Sequence, residues 1–255
     1  MAIQQMFLGA GGAAPAEPLG NIPVTSSLLW YHDAFYVTDN GSQVTQWEDR
    51  SGNGRHQSTA GGRMGNNIQQ EEAKKGTRNL TKARKYIYNT NTANGMRWNG
   101  SGWWPGTSYT LMHICARDPT NTDGRIFDGF TENWLSGFHG SSEGVFHHAN
   151  WVTTTNRDSR NNFIVCIDRL NRTRSRGYNH SGSSYDSGYQ TGAGHNAPTT
   201  NQGIGLGCGQ YSGDINSSGG ESCKWECIMA ACWSGSKGDS DCNTLMNWGY
   251  DALYG

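Results

Sequence analysis

His147 and His148 are the adjacent pair that most invites a metal or acid–base role. On a strand, neighbouring side chains point to opposite faces, so the two cannot share one ion. One packed and one exposed imidazole is the expectation, and no zinc-type spacing of Cys and His alters it. Glycosidic cleavage would need two carboxyl groups facing each other about 5 to 9.5 Å apart, one with a raised pKa. The glutamates at 17, 48, 71, 72, 132, 143, 221 and 226 are scattered, and no pair falls at alternating strand spacing. A serine nucleophile would need a Gly-x-Ser-x-Gly elbow between strand and helix, and that context is not recognisable. No catalytic residue is expected on these grounds, and the chain reads as non-enzymatic.

Aromatic abundance offers a different chemistry. Sugar rings have apolar faces that stack on Trp or Tyr while their hydroxyls bond to Asn, Asp and His. Trp103, Trp104, Trp151 and Tyr211 lie near loops rich in such partners, whereas Trp134 reads as core. Trp103 and Trp104 sit between Gly102 and Pro105, which argues against a central strand. At least one of the two rings should reach the surface, to meet either a glycan or a neighbouring subunit, since interface cores are also enriched in aromatic residues.

The elements that must position these side chains are short. Across 255 residues there are 36 Gly, 10 Trp and 11 Tyr against 16% charged residues, with apolar runs broken by Gly and Asn. That pattern is a loop-rich β protein large enough for one sizeable core. Strand signals stand at 28–31, 44–49, 95–98, 109–116, 125–128, 133–138, 144–148, 162–168, 204–208 and 224–233, the last being the longest. Residues 60–95 read as a long polar loop, with a helical turn near 69–75. Near the C-terminus, Ser240-Asp241 can cap a short helix carrying Leu245, Trp248, Ala252 and Leu253 on one face.

A net charge of −1 supports no bulk attraction to nucleic acid, and the basic run from Lys74 to Lys85 is interleaved with polar residues as on a solvated loop. No apolar stretch approaches the roughly 18 residues that a membrane-spanning helix needs. The N-terminus lacks the charged start and sustained apolar core of a secretory signal. Residues 1–23 read as an arm or linker ahead of a domain over 24–255, and Ile3, Met6, Phe7 and Leu8 are its candidate anchors into a particle. Seven cysteines are an odd number without a Cys-x-x-Cys motif, which fits reduced thiols better than a disulfide scaffold. On one extended strand Cys223 and Cys227 would stand about 13 Å apart, too far to bridge.

Taken in order, Leu29-Trp30-Tyr31-His32-Asp33-Ala34, Val44 to Gly54, Met96 to Ser101, Gly124 to Gly129 with Asn133-Trp134-Leu135, and Trp225-Glu226 before an apolar strand and a closing helix resemble the concanavalin-A-like or laminin-G-like domains of phage and bacterial surface proteins. The resemblance implies a mainly-β jelly-roll sandwich of antiparallel sheets with a short C-terminal helix. Many such domains hold calcium at a loop rim, for which Asp118, Asn121, Asp123, Asp128 and Asp214 are the residues of suitable type; Asp and Asn are equally expected as turn residues. The glutamate-rich strand of the laminarinase-like branch has no counterpart here. The opening Met-Ala-Ile-Gln-Gln-Met is similar to the start of marine-phage virion proteins.

The resulting expectation is a bacteriophage virion structural protein, as capsid decoration, knob or fibre, with a carbohydrate-binding tail adhesin and a glycan-degrading enzyme as the alternatives. Its expected partners are other virion proteins, further copies of itself and a host glycan, with no nucleic acid and no membrane insertion. Its expected place is the virion surface after assembly in the host cytoplasm, with no cofactor other than calcium considered.

Overall fold

The runs of aromatic and β-branched residues do form strands, and most of them are buried on both faces. The computed structural model describes residues 14–118, 124–192, 197–209, 215–216 and 220–255. In chain order its strands are β1 (Leu28–Asp39), β2 (Val44–Asp49), β3 (Gln57–Ser58), β4 (Ile68–Ala73), β5 (Arg84–Asn89), β6 (Met96–Trp98), β7 (Tyr109–Arg117), β8 (Phe127–Gly129) and β9 (Trp134–His139). There follow β10 (Ser142–His148), β11 (Asn150–Thr153), β12 (Ile164–Arg169), β13 (Arg172–Tyr178), β14 (Ser184–Asp186), β15 (Gln190–Thr191), β16 (Ile204–Leu206) and β17 (Trp225–Ser234), then the helix α1 (Asp239–Tyr254).

The larger sheet has the order β14-β13-β12-β7-β17-β1-β2-β3, with β15 also on β13 and the β4–β5 hairpin joined to β17. The smaller sheet runs β11-β10-β9-β8-β16-β6. The strand pairs are antiparallel, as in β7 against β12 and β9 against β10. The two sheets face each other across a core that includes Trp30, Leu111, Cys115 and Cys166 from the larger sheet and Trp98, Phe127, Phe138 and Phe146 from the smaller. The chain is therefore a mainly-β sandwich with one C-terminal helix, as the resemblance implied.

Period-two alternation explains why β7 is buried throughout and mostly apolar. Leu111 and Cys115 enter the core between the sheets, while Met112, Ile114 and Ala116 enter a second core beneath α1. The helix meets that face through Cys242, Leu245, Met246 and Leu253. Gly249 permits the close approach, since a β-carbon there would stand 2.6 Å from Met112 Cε.

Two local expectations are corrected. The stretch 60–95 contains the β4–β5 hairpin instead of a long loop with a helical turn. Its strands bury few apolar groups, Ile68 and Ala73 on one and the adjacent Tyr86 and Ile87 on the other, leaving Gln69, Gln70 and Lys85 partly outside. The helix N-cap is Gly238, without a side-chain cap, so Asp239 and Asp241 act from within the first turn, where carboxylates favour the helix dipole. The described part of the expected arm is packed: Ala16, Leu19 and Ile22 are buried, and Leu19 N–H donates to Asp33 Oδ2 at 2.8 Å. Arg84 secures this segment to the helix end, donating to the Glu17 carbonyl at 2.8 Å and from Nε to the Ala252 carbonyl at 3.0 Å.

A buried polar network joins the sheets. Tyr109 O–H donates to Asp168 Oδ1 at 2.7 Å and accepts from Trp134 Nε1 at 3.0 Å, while His148 Nε2 stands 3.0 Å from the same carboxylate. All four side chains are fully buried.

Candidate functional site

At one end of the sandwich, where β7 ends and the β9–β10 hairpin turns, a cleft of about 500 Å³ opens. Arg117 and Asp118 reach it from the end of β7, and Ser141 and Glu143 from the hairpin. The segment between β11 and β12 adds Asn156, Asp158, Arg160 and Asn161, and His180 closes it from beyond β13. Every one of these side chains is polar or charged. The volume suits a small ligand, and the lining suits one that presents many hydroxyls or other polar groups.

Glu143 is the keystone of the wall. Its side chain is buried and pairs with the equally buried Arg117. Its Oε2 accepts Ser159 N–H at 3.2 Å, its backbone N–H donates to Asn156 Oδ1 at 3.1 Å, and its carbonyl accepts Arg157 N–H at 3.0 Å. One residue of β10 thus holds a segment that otherwise lacks regular structure.

That segment is bent in an unusual way. Asp158 and Arg160 both have positive φ, 45° and 48°, on either side of the fully buried Ser159. A non-glycine residue in this region costs of order 1–3 kcal/mol and persists only where its surroundings hold it. Here the holding bonds are Asp158 N–H to Asn156 Oδ1 at 2.9 Å, His180 N–H to the Asp158 carbonyl at 2.7 Å and Asn162 N–H to the Ser159 carbonyl at 2.9 Å. The consequence is that Asp158 and Arg160 stand outward, each with more than half its side chain exposed, in a local 3.1 Å pair. Such an exposed pair adds little stability, so both groups are available to a ligand.

The aromatic candidates separate. Trp104 is fully buried, donates from Nε1 to the Pro198 carbonyl at 2.7 Å and meets Trp134 edge to face, so it is core and not a platform. Trp103 is half-buried beneath the Arg63 guanidinium, 4.0 Å from its ring centre. Trp151 is exposed and Trp134 is core. His147 and His148 do face opposite ways, His148 into the network with Asp168 and His147 toward Trp151, although both are buried, where one of the two had been expected to be exposed. Tyr211, the anchors Ile3, Met6, Phe7 and Leu8, and Asn121, Asp123 and Asp214 lie outside the described residues.

Of the remaining calcium candidates, Asp118 lines the cleft and Asp128 is fully buried on β8. Among the described residues, no three of His, Cys, Asp and Glu converge as metal ligands would. All seven cysteines are buried free thiols.

No family model and no curated protein matches the chain. Solved structures share its fold. Trypanosoma rangeli sialidase in complex with a difluorinated KDN has a TM-score of 0.53 at 11% identity, covering 95% of this chain and 36% of the sialidase. The binding domain of Paraclostridial Mosquitocidal Protein 1 has a TM-score of 0.50 at 11% identity, covering 89% of this chain and 53% of that one. An arabinofuranosidase complexed with arabinofuranosyl-xylobiose has a TM-score of 0.47 at 15% identity, covering 82% and 51%. The chain thus spans about half of the arabinofuranosidase and about a third of the sialidase, and at these identities the likeness shows the fold alone.

These findings overturn the expectation of a non-enzymatic virion protein. The structures that share the fold are a sialidase and a toxin's binding domain, not particle components. Carboxylates need not alternate along one strand to share a cleft. The fold instead brings Asp118, Glu143 and Asp158 to one cleft from three separate segments.

Proposed function

We propose that the chain is a glycan-directed, concanavalin-A-like β-sandwich domain that binds a saccharide in the cleft between Arg117, Glu143 and the 156–161 segment. The observation that carries this reading is that every residue lining that cleft is of polar or charged type, with carboxylate acceptors, guanidinium donors and two carboxamides around one space. Sugar hydroxyls both donate and accept, and paired acceptor and donor groups such as Asp158 and Arg160 match that chemistry. The fold it shares with a sialidase and a toxin binding domain supports the reading by analogy.

A second reading is favoured by the three carboxylates. Hydrolysis of a glycosidic bond needs one carboxyl group to protonate the leaving oxygen and another to act as nucleophile or to activate water. Glu143 is held by Arg117 and Ser159 N–H and serves as the anchor. Asp118 and Asp158 are left as the pair to assign to those two roles.

One experiment separates the readings. The purified chain is screened against immobilised glycans for binding and against the same glycans in solution for release of reducing ends. Asp158→Asn is the informative variant, because Asn tolerates positive φ and preserves the bend. Binding without release, weakened in Asp158→Asn, supports recognition alone; release abolished by the same change supports hydrolysis. Neither binding nor release by the wild-type chain contradicts both.

A further inference from the structure

The cleft leaves unused a second aromatic surface on the outer face of the smaller sheet. In β11, Val152 enters the core and Trp151 therefore faces the other way, 42% exposed. Phe35 is the one other large hydrophobic side chain exposed to this degree among the described residues. The Trp151 ring is not loose. His147, its register partner on β10, meets it edge to face at 5.0 Å, and His139 at the end of β9 does so at 5.1 Å.

His147 pairs with Leu135, and His139 lies four residues further along β9. A ring touching both imidazoles is held in place, and its remaining surface stays exposed. The turn that delivers it is tight. Ala149, between β10 and β11, has φ of 65°, a conformation that favours glycine.

Polar groups border this ring on one side. His139 Nε2 is 3.6 Å from Glu221 Oε1, and Arg125 pairs with the other oxygen of the same carboxylate. The Glu221 side chain is 39% exposed, so it can accept from a ligand. The Asn133 side-chain oxygen is buried without a hydrogen-bond partner, and the Asn133 carbonyl contacts His147 Nδ1 at 2.7 Å. Because Arg125 balances Glu221, this edge is close to neutral, with acceptors in excess. An anionic ligand gains nothing there, and an uncharged one with several hydroxyl donors does.

We infer that Trp151, flanked by His139 and Glu221, is a second ligand site that stacks the apolar face of a neutral hexopyranose and binds its hydroxyls at the Glu221 edge. It needs none of the residues that bind ligand in the cleft, so the two sites can be lost separately. An aromatic stack of about 0.5–1.5 kcal/mol corresponds to a change of up to roughly tenfold in affinity.

The test is affinity electrophoresis of the full chain in native gels containing dextran or galactomannan as neutral polysaccharides, or alginate as an anionic one. Wild-type chain should be retarded by at least one neutral gel and not specifically by alginate. Trp151→Ala should lose most of that retardation, Trp151→Tyr should recover part of it, and Phe35→Ala, at the other exposed aromatic side chain, should keep it. Near-ultraviolet circular dichroism verifies that each variant is folded, and His139→Ala supplies a second perturbation of the exposed edge. Retardation unchanged in Trp151→Ala, or no retardation of the wild type by either neutral polymer, overturns the inference. Equal loss in Trp151→Ala and Phe35→Ala overturns it as well, since exposed aromatic surface in general would then account for the retardation. Failure of the cleft variant Asp158→Asn alone to bind other glycans leaves Trp151 unaffected and bears only on the cleft.

Discussion

Replacing Glu143 should loosen the cleft wall before it unfolds the domain. The Glu143 and Arg117 side chains are each only 4% exposed, so their pair is largely shielded from solvent. Removing one member of a buried pair costs about 3–5 kcal/mol when the other is left uncompensated. Arg117 has a further interaction besides Glu143, so the upper end of that range does not apply. The Ser159 N–H also loses its acceptor, for which about 1 kcal/mol is usual. We expect Glu143→Ala to cost about 2–4 kcal/mol and Glu143→Gln, which retains the shape and one acceptor, about half as much. Urea denaturation gives the global value, and native-state hydrogen exchange reads the 156–161 amides directly. In Glu143→Ala those amides should exchange faster by a larger factor than the amides of β7 and β12, because the lost bonds are local to the segment. A loss below about 0.5 kcal/mol with unchanged exchange in 156–161 would refute the anchoring role.

Further predictions concern the core. Asp128 is fully buried, and burial pushes its carboxyl well above the usual range, outweighing the pull of Arg125 and the Gly209 N–H. Above about pH 4 the unfolded chain ionises there while the folded one does not. Stability is therefore lost as pH rises, and the advantage of Asp128→Asn over wild type should be larger at pH 8 than at pH 4; an equal difference at both contradicts this. His32 and His113 are fully buried, and burial lowers them to about 4 and about 3. Below about pH 6.5 only the unfolded chain gains these protons, so stability falls on acidification, by up to about 1.4 kcal/mol per pH unit for each histidine. His113→Gln should flatten that slope in urea midpoints measured from pH 6.5 to 4.5, and an unchanged slope counts against it. A double-mutant cycle of Asp168→Asn with Tyr109→Phe should show coupling of about 1 kcal/mol or more, since the two share a buried hydrogen bond. Additivity would show that the bond does not matter to stability.

What could be read along the chain depended on how local the cause was. The runs at 109–116, 162–168 and 224–233 are recognisable because β7, β12 and β17 are covered on both faces, so nearly every position is apolar. The β4–β5 hairpin was obscured because it joins the sheet by pairing with the distant β17 and keeps polar side chains between its apolar ones. Gly102 and Pro105 correctly marked a non-strand segment around Trp103 and Trp104. They could not reveal that Trp104 turns inward to meet the Pro198 carbonyl, ninety-four residues away. Of the tryptophans singled out, Trp151 kept its exposure, for which alternation with Val152 is the local cause.

The cleft was the least legible feature. Its lining comes from four segments, and the only local trace is the polar run Asn156-Arg157-Asp158-Ser159-Arg160-Asn161. Nothing in that run shows that Glu143 will grip it, or that Asp158 and Arg160 will adopt positive φ. Both depend on β10 being fixed in the sandwich first.

The claim that this cleft recognises a saccharide is tested most directly by mapping backbone amide shifts of the isotope-labelled chain as glycans from the binding screen are added. The account predicts saturable shifts concentrated at 117–118, 141–143, 156–161 and 180, weakened in Asp158→Asn. Saturable binding that leaves those amides unmoved, or the absence of binding by any glycan in the screen, would contradict it.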